Sequence, residues 1–145
     1  MRYLILFIAF ATILTACSKK QDDSITDTRF NYINSTNYVI DINLYRKALN
    51  TISFKYTIQP QDSLALDFRS VDVASNPFGA PEVDSAEVVF DGGRRLIYSL
   101  TGERGNALPR NIFFLSGSGY QLISRTDRNF QYRYEFTNTD YFNAR

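Results

Sequence analysis

From Thr28 to Phe136 apolar and polar residues alternate with a period close to two, and that alternation leaves the chain few folds to choose from. Phe30 and Tyr32 alternate with polar neighbours. Tyr38, Ile40, Ile42 and Leu44 interleave with Val39, Asp41 and Asn43, and Ile52, Phe54, Tyr56 and Ile58 with Ser53, Lys55 and Thr57. The pattern returns at Leu64, Leu66 and Phe68, at Ala86, Val88 and Phe90, at Leu96 to Tyr98, at Tyr120 and Leu122, and at Phe130, Tyr132, Tyr134 and Phe136. Successive side chains of a strand point to opposite faces, so segments of this kind are half-buried strands. Ile112-Phe113-Phe114-Leu115 is apolar throughout and reads as a strand buried on both faces.

The punctuation agrees. Asp91-Gly92-Gly93 lies between two alternating runs and predicts a tight hairpin, whose central residues need positive φ. Gln59-Pro60-Gln61-Asp62 marks another turn, and 76–81 and 101–109 read as longer loops. Thr137, followed three residues later by Asp140, predicts a short C-terminal helical turn with Thr137 as its cap. No helical period of useful length interrupts the strands. The expectation is therefore an all-β antiparallel sandwich of about seven to nine strands, with a small eight-stranded barrel as the alternative.

The 145 residues, 44% hydrophobic and 15% aromatic, suit one globular domain. A single cysteine excludes an intrachain disulfide framework and a cysteine-based zinc site. The absence of histidine removes the commonest general base and metal ligand, and with them the nucleophile–histidine triads. No acid spacing matches a calcium loop, so neither a metal nor another cofactor is expected. Nucleic-acid binders need a basic stripe. The nearest candidates, Arg94-Arg95 and the group Arg125, Arg128 and Arg133, have Asp91 and Asp127 beside them and read as solvated faces, so no nucleic acid is expected.

The N-terminus has a different character. Met1-Arg2 precedes an apolar stretch from Tyr3 to Ala11, too short to span a bilayer and of the length of a signal-peptide core. Leu14-Thr15-Ala16-Cys17 resembles the lipobox of bacterial lipoproteins. That resemblance implies cleavage before Cys17, a diacylglyceryl group on its sulfur, and anchoring to the membrane by more than one acyl chain, the number needed for stable attachment. Residues 1–16 are then a signal peptide, 17–27 a polar lipidated tether, and 28–145 the sandwich domain. Lys19, Lys20, Asp22 and Asp23 resemble the surface-export signal of Bacteroidota lipoproteins, which implies the outer face of the outer membrane; a periplasm-facing lipoprotein is the alternative. Together with residues 83–98 and 134–141, the N-terminal pattern resembles a group of small uncharacterised Bacteroidota lipoproteins with immunoglobulin-like domains. That likeness implies fold and anchoring and carries no catalytic residue.

Function is less legible. Carboxylates at Asp41, Asp67, Asp84, Glu87 and Asp91 leave a two-carboxylate hydrolase formally open, but each falls on a polar strand position or a turn, and the chain is not expected to be an enzyme. Asp23-Ser24-Ile25, Asp62-Ser63-Leu64 and Asp84-Ser85-Ala86 resemble the O-glycosylation acceptor of exported Bacteroidota proteins, Ser24 being the favoured position. Strand packing explains most of the aromatics. It explains loop aromatics least, which makes Phe78, Tyr141 and Phe142 the candidate binding residues. The expectation is a lipid-anchored accessory module binding a glycan or a partner protein at the outer membrane. The alternative is an envelope-assembly lipoprotein whose sheet edge pairs with a partner strand.

Overall fold

A computed structural model describes residues 25–46, 51–71, 76–78, 82–100, 110–115 and 119–145. Among the described residues eight strands, β1 (Thr26–Asn34), β2 (Ile40–Arg46), β3 (Ile52–Ile58), β4 (Ser63–Ser70), β5 (Val83–Phe90), β6 (Arg95–Ser99), β7 (Tyr120–Arg125) and β8 (Asn129–Phe136), precede a short helix, α1 (Asn138–Asn143). They form two four-stranded sheets, ordered β4-β1-β8-β7 and β3-β2-β5-β6. Each sheet keeps two free-ended edge strands, so the chain is a sandwich and the barrel alternative is set aside. The first strand begins two residues before the expected boundary: Asp27, assigned to the tether, is paired with both Arg69 and Asn129.

Every strand pair is antiparallel except β1 with β8, which run parallel over eight registered pairs from Asp27↔Asn129 to Asn34↔Phe136. Parallel neighbours need a long crossover between them. Here the crossover is everything from β2 to β7, so the first and last strands meet at the centre of one sheet.

The alternation maps onto faces as read through the middle of the sandwich, while Ile52, Phe54 and Leu122 on the edge strands β3 and β7 stay exposed. Phe30, Tyr32, Ile40, Ile42, Val88 and Phe90 are buried between the sheets, each side chain of this size contributing about 1.5–3 kcal/mol when withdrawn from water. Aromatic geometry knits the first sheet: the Phe30 ring stacks on Tyr132 at 5.4 Å and meets Phe68 at 5.8 Å. Outward positions carry ion pairs, Arg29–Asp67 on one sheet and Lys55–Asp41 on the other.

Two expectations about local structure need revision. Ile112-Phe113-Phe114-Leu115 is a turn instead of a strand. The Asn111 carboxamide accepts the Phe113 N–H at 2.9 Å and the Asn111 carbonyl accepts the Phe114 N–H at 3.2 Å, closing the backbone on itself. Ile112 and Phe113 are then driven into the core as a plug, and a continuous apolar run serves a buried turn as well as a buried strand. Tyr38 likewise lies in the arch joining β1 to β2, which starts only at Ile40.

That arch depends on Asn34, which is 0% exposed. Its Nδ2 donates to the carbonyls of Tyr38 (2.7 Å), Gln59 (3.0 Å) and Ile58 (3.2 Å), and its Oδ1 accepts from the Thr36 N–H (3.0 Å) and hydroxyl (2.7 Å). One side chain thereby fastens the end of β1, the arch and the end of β3. The hairpin at 91–93 forms as expected, with φ of 96° at Gly92 and 84° at Gly93 and the Phe90 N–H bonded to the Arg94 carbonyl at 2.8 Å. Gln61 takes a positive φ of 60° in the turn that carries the chain from β3 in one sheet to β4 in the other.

Asn34→Ala strands three carbonyls and is expected to cost about 3 kcal/mol or more, read as a lowered denaturant midpoint. Thr28 offers the reverse case. It is 2% exposed and its Oγ1 has no hydrogen-bond partner. Thr28→Val removes that stranded hydroxyl and is expected to raise stability by about 1 kcal/mol; a lower midpoint would contradict the assignment.

Candidate binding surface

The parallel alignment of β1 and β8 brings three connections to one end of the sandwich: the arch 35–39, the hairpin 91–94 and α1. The helix starts where the sequence signals it. Asp140 accepts the Thr137 N–H at 2.8 Å and the Thr137 hydroxyl at 3.0 Å, and a carboxylate in the first turn also faces the positive end of the helix. Arg110 closes the same point from outside, its guanidinium 3.1 Å from Asp140, donating to the Glu135 carbonyl at 2.5 Å and lying 5.0 Å from the Tyr134 ring centroid.

Held in this way, α1 presents Tyr141 and Phe142. The Tyr141 ring stacks on Tyr38 at 3.8 Å and 8° and meets Phe90 edge-on at 5.6 Å. The Arg94 guanidinium sits 5.0 Å from the Tyr141 centroid, a cation–π distance. The neighbouring Tyr141 phenol, then burial, raises the Tyr38 phenol, and Arg94 opposes the shift. Phe142, with its ring 5.6 Å from Tyr141, is 72% exposed. The result is a rigid aromatic pair with a guanidinium beside it and one phenyl standing free in water.

Of the aromatics singled out from sequence, Tyr141 and Phe142 therefore come together at the surface. Phe78 does not join them. It is 4% exposed, stacked on Tyr32 at 5.5 Å and 5° and edge-on to Phe113 at 5.6 Å, so it is a core plug with no face left for a ligand. Tyr38 and Arg94, which complete the surface, were read otherwise from sequence: Tyr38 continued an alternating run, and Arg94, beside Asp91, read as a solvated face. Cys17, Lys19, Lys20, Asp22, Asp23 and Ser24 lie outside the described residues.

Of the five carboxylates, Asp41, Asp67, Asp84 and Glu87 are spent on pairing. Asp67 receives two bonds from Arg29, at 2.6 and 2.9 Å, which hold its carboxyl below the usual range. Burial works to raise the Asp41 carboxyl, but Thr57 and Lys55 outweigh it and the net shift is downward. Glu87 takes Tyr45 at 3.0 Å and Arg95 at 3.0 Å, and Asp84 accepts the Ser85 hydroxyl at 3.0 Å. Asp91 is exposed in the hairpin. A general acid needs its pKa pushed up; Asp41, Asp67 and Glu135 are all pushed down. Among the described residues no group of three or more His, Cys, Asp or Glu side chains is placed to hold a metal ion.

A second set of tyrosines is internal. The Tyr32 hydroxyl donates to the Pro77 carbonyl at 3.1 Å, and the Tyr134 hydroxyl donates to that of Arg110 at 2.9 Å. The Tyr120 hydroxyl has the Ile112 carbonyl at 2.8 Å and the Tyr32 hydroxyl at 3.1 Å, and Tyr98 lies 3.4 Å from Tyr134. These phenols fasten the loop segments around Pro77 and 110–112 to the sheets. Nothing in a period-two pattern separates a tyrosine of this kind from a phenylalanine. No protein-family model, curated protein or solved structure matches the chain.

Burial pushes Tyr134 up to about 12 and raises Tyr32, Tyr98 and Tyr120 as well. The unfolded chain releases these protons first, near pH 10, so their contribution is complete below about pH 10 and is lost as pH rises above it. Alkaline titration should show tyrosinate absorbance from these four appearing together with loss of the near-ultraviolet circular dichroism. Ionisation of all ten tyrosines before any unfolding would contradict their burial.

Proposed function

We propose that the protein is a non-enzymatic lipoprotein, anchored through Cys17 to the outer membrane and exposed at the cell surface, that binds glycan through the surface formed by Tyr38, Arg94, Tyr141 and Phe142. The observation that carries this reading is Phe142, 72% exposed beside a pre-stacked tyrosine pair. A hexose ring has an apolar face that stacks on a flat aromatic and hydroxyls that suit a phenol or a guanidinium. Pre-stacking reduces the entropy lost on binding. Placement supports the same reading. β1 enters at Thr26 and ends at Asn34, just before the arch that holds Tyr38, so the surface lies at the end of the sandwich opposite the start of β1.

Phe142→Ala is expected to weaken binding to isolated polysaccharide about tenfold while leaving stability within about 0.5 kcal/mol of the parent. Equal binding by parent and variant would remove the surface from consideration. Anchoring is tested separately by radiolabelled palmitate incorporation, which Cys17→Ser should abolish. Protease treatment of intact cells tests exposure, with Lys19, Lys20, Asp22 and Asp23 changed to Ala as the control for export.

The envelope-assembly reading has one observation in its favour. Edge strand β7 leaves Leu122 50% and Ile123 54% exposed, and an exposed edge can accept a partner strand. The bulge between Leu122 and Ser124 works against long pairing. Loss of a membrane-protein partner on Ile123→Lys, with glycan binding unchanged, would favour this reading over the first.

A further inference from the structure

A cleft of about 440 Å³ lies on the β4-β1-β8 face, lined by residues 27–29, 67–69 and 129–131. Its construction follows from register. Arg69, Asp27 and Asn129 form one row across the three strands, and Asp67, Arg29 and Gln131 form another two residues on. Between them runs the row Phe68, Thr28 and Phe130, whose side chains alternate to the core side, so the outer face there is backbone. The volume falls in the range of ligand sites, about 300–1,000 Å³, and the lining mixes charged and amide side chains with apolar surface, which suits a ligand offering both hydroxyls and C–H faces.

The four charges are arranged as a checkerboard, because the sign alternates both along each strand and across the pair. Arg29 and Asp67 are joined by two bonds, at 2.6 and 2.9 Å. Arg69 and Asp27 are held more loosely, at 3.5 Å. The charges sum to zero, so neither an anion nor a cation is selected, and either would have to break an existing pair. What is left over is specific: N–H groups of Arg29 beyond the two it uses, unused lone pairs on both carboxylates, and the amides of Asn129 and Gln131. Asn129 is itself positioned by Thr126, whose Oγ1 accepts its backbone N–H at 3.2 Å and its side-chain N–H at 3.3 Å. A hydroxyl donates and accepts at once, so a pair of neighbouring hydroxyls satisfies a carboxylate and the guanidinium beside it without separating them.

We infer that this face is a second binding site, distinct from the aromatic surface, for a neutral hydroxyl-rich ligand of saccharide size. It stands at the start of β1, about 20 Å along that strand from Asn34 at about 3.3 Å per residue, so a monosaccharide cannot touch both surfaces. Its place beside the chain's entry into the domain makes free saccharide and the sugar headgroup of a glycolipid two sources of the same chemistry.

The test is a titration of the full-length protein in detergent with glucose, galactose and mannose, followed by the side-chain amide signals of Asn129 and Gln131 in nitrogen–proton correlation spectra. Galacturonate and glucosamine serve as charged controls, and vesicles containing a galactosyl diacylglycerol as the membrane-borne source. Saturable shifts with at least one neutral sugar or with the vesicles are expected, weakened about tenfold by Asp67→Asn and by Arg29→Gln and unchanged by Phe142→Ala. A response to the free sugar identifies a soluble ligand, and a response to the vesicles alone identifies a headgroup; either supports the site. Gln131→Ala, which leaves both ion pairs in place, keeps the test valid should the charge variants unfold. No saturable shift with any neutral sugar or the vesicles overturns the inference. So does preference for a charged control, or shifts that persist in all three cleft variants. Loss of polysaccharide binding in Phe142→Ala with the cleft response intact would separate the two surfaces.

Discussion

A sandwich is held apart or together by what happens where the chain leaves one sheet for the other, and here that junction is governed by the Asn34 carboxamide. Withdrawn wholly from water, it satisfies carbonyls from the arch, from the end of β3 and from the turn that follows. A buried amide so placed has strong directional preferences and no water to fall back on. The arch can therefore close in few ways, and its closure sets where Tyr38 stands. The aromatic end surface depends on the same bond set, since Tyr141 has a stacking partner only because the arch is pinned. Residues far apart in sequence meet there because one polar group could not be left unsatisfied.

The legibility of the fold followed the physics of each segment. Strands with one wet face declare themselves, because the alternation is a direct record of which side each residue faces; β2, β3, β4, β5 and β8 were readable for that reason, and the hairpin at 91–93 because its glycines take backbone angles that other residues avoid. The C-terminal helix announced itself through Thr137 and Asp140. Where burial is complete the record disappears. Ile112-Phe113-Phe114-Leu115 has no polar phase, so nothing in its composition distinguishes a central strand from a plugged turn. The parallel pairing of β1 with β8 was invisible as well, because pairing partners are chosen by the whole topology and leave no local trace.

The sites divide along the same line. Tyr141 and Phe142 could be found from sequence because they follow the last strand, where sheet packing cannot account for them. The same reasoning failed at Phe78, whose loop folds back to fill the core against Tyr32 and Phe113. Loop position in sequence does not imply surface position in space. Arg29 and Asp67 fell on the polar phase of alternating runs and Asp27 was assigned to the tether, so grouping them with Arg69 needed the register of β1 against β4, which only the three-dimensional pairing supplies. The buried phenols follow a similar rule: a hydroxyl on a core position is seen to matter only when the carbonyl it reaches is known.

The side-by-side, same-direction placement of the first and last strands has a mechanical meaning. A pull applied between the start of β1 and the helix that follows β8 acts on the two strands from opposite ends. Force along that line does not peel the two strands apart one hydrogen bond after another. It slides one past the other, loading the eight registered pairs of the β1–β8 ladder together. Antiparallel neighbours pulled from a shared end would open like a zipper, at a force set by single bonds. In this chain the first strand and the last are locked in shear between the start of β1 and α1, a geometry that resists a pull applied across the domain.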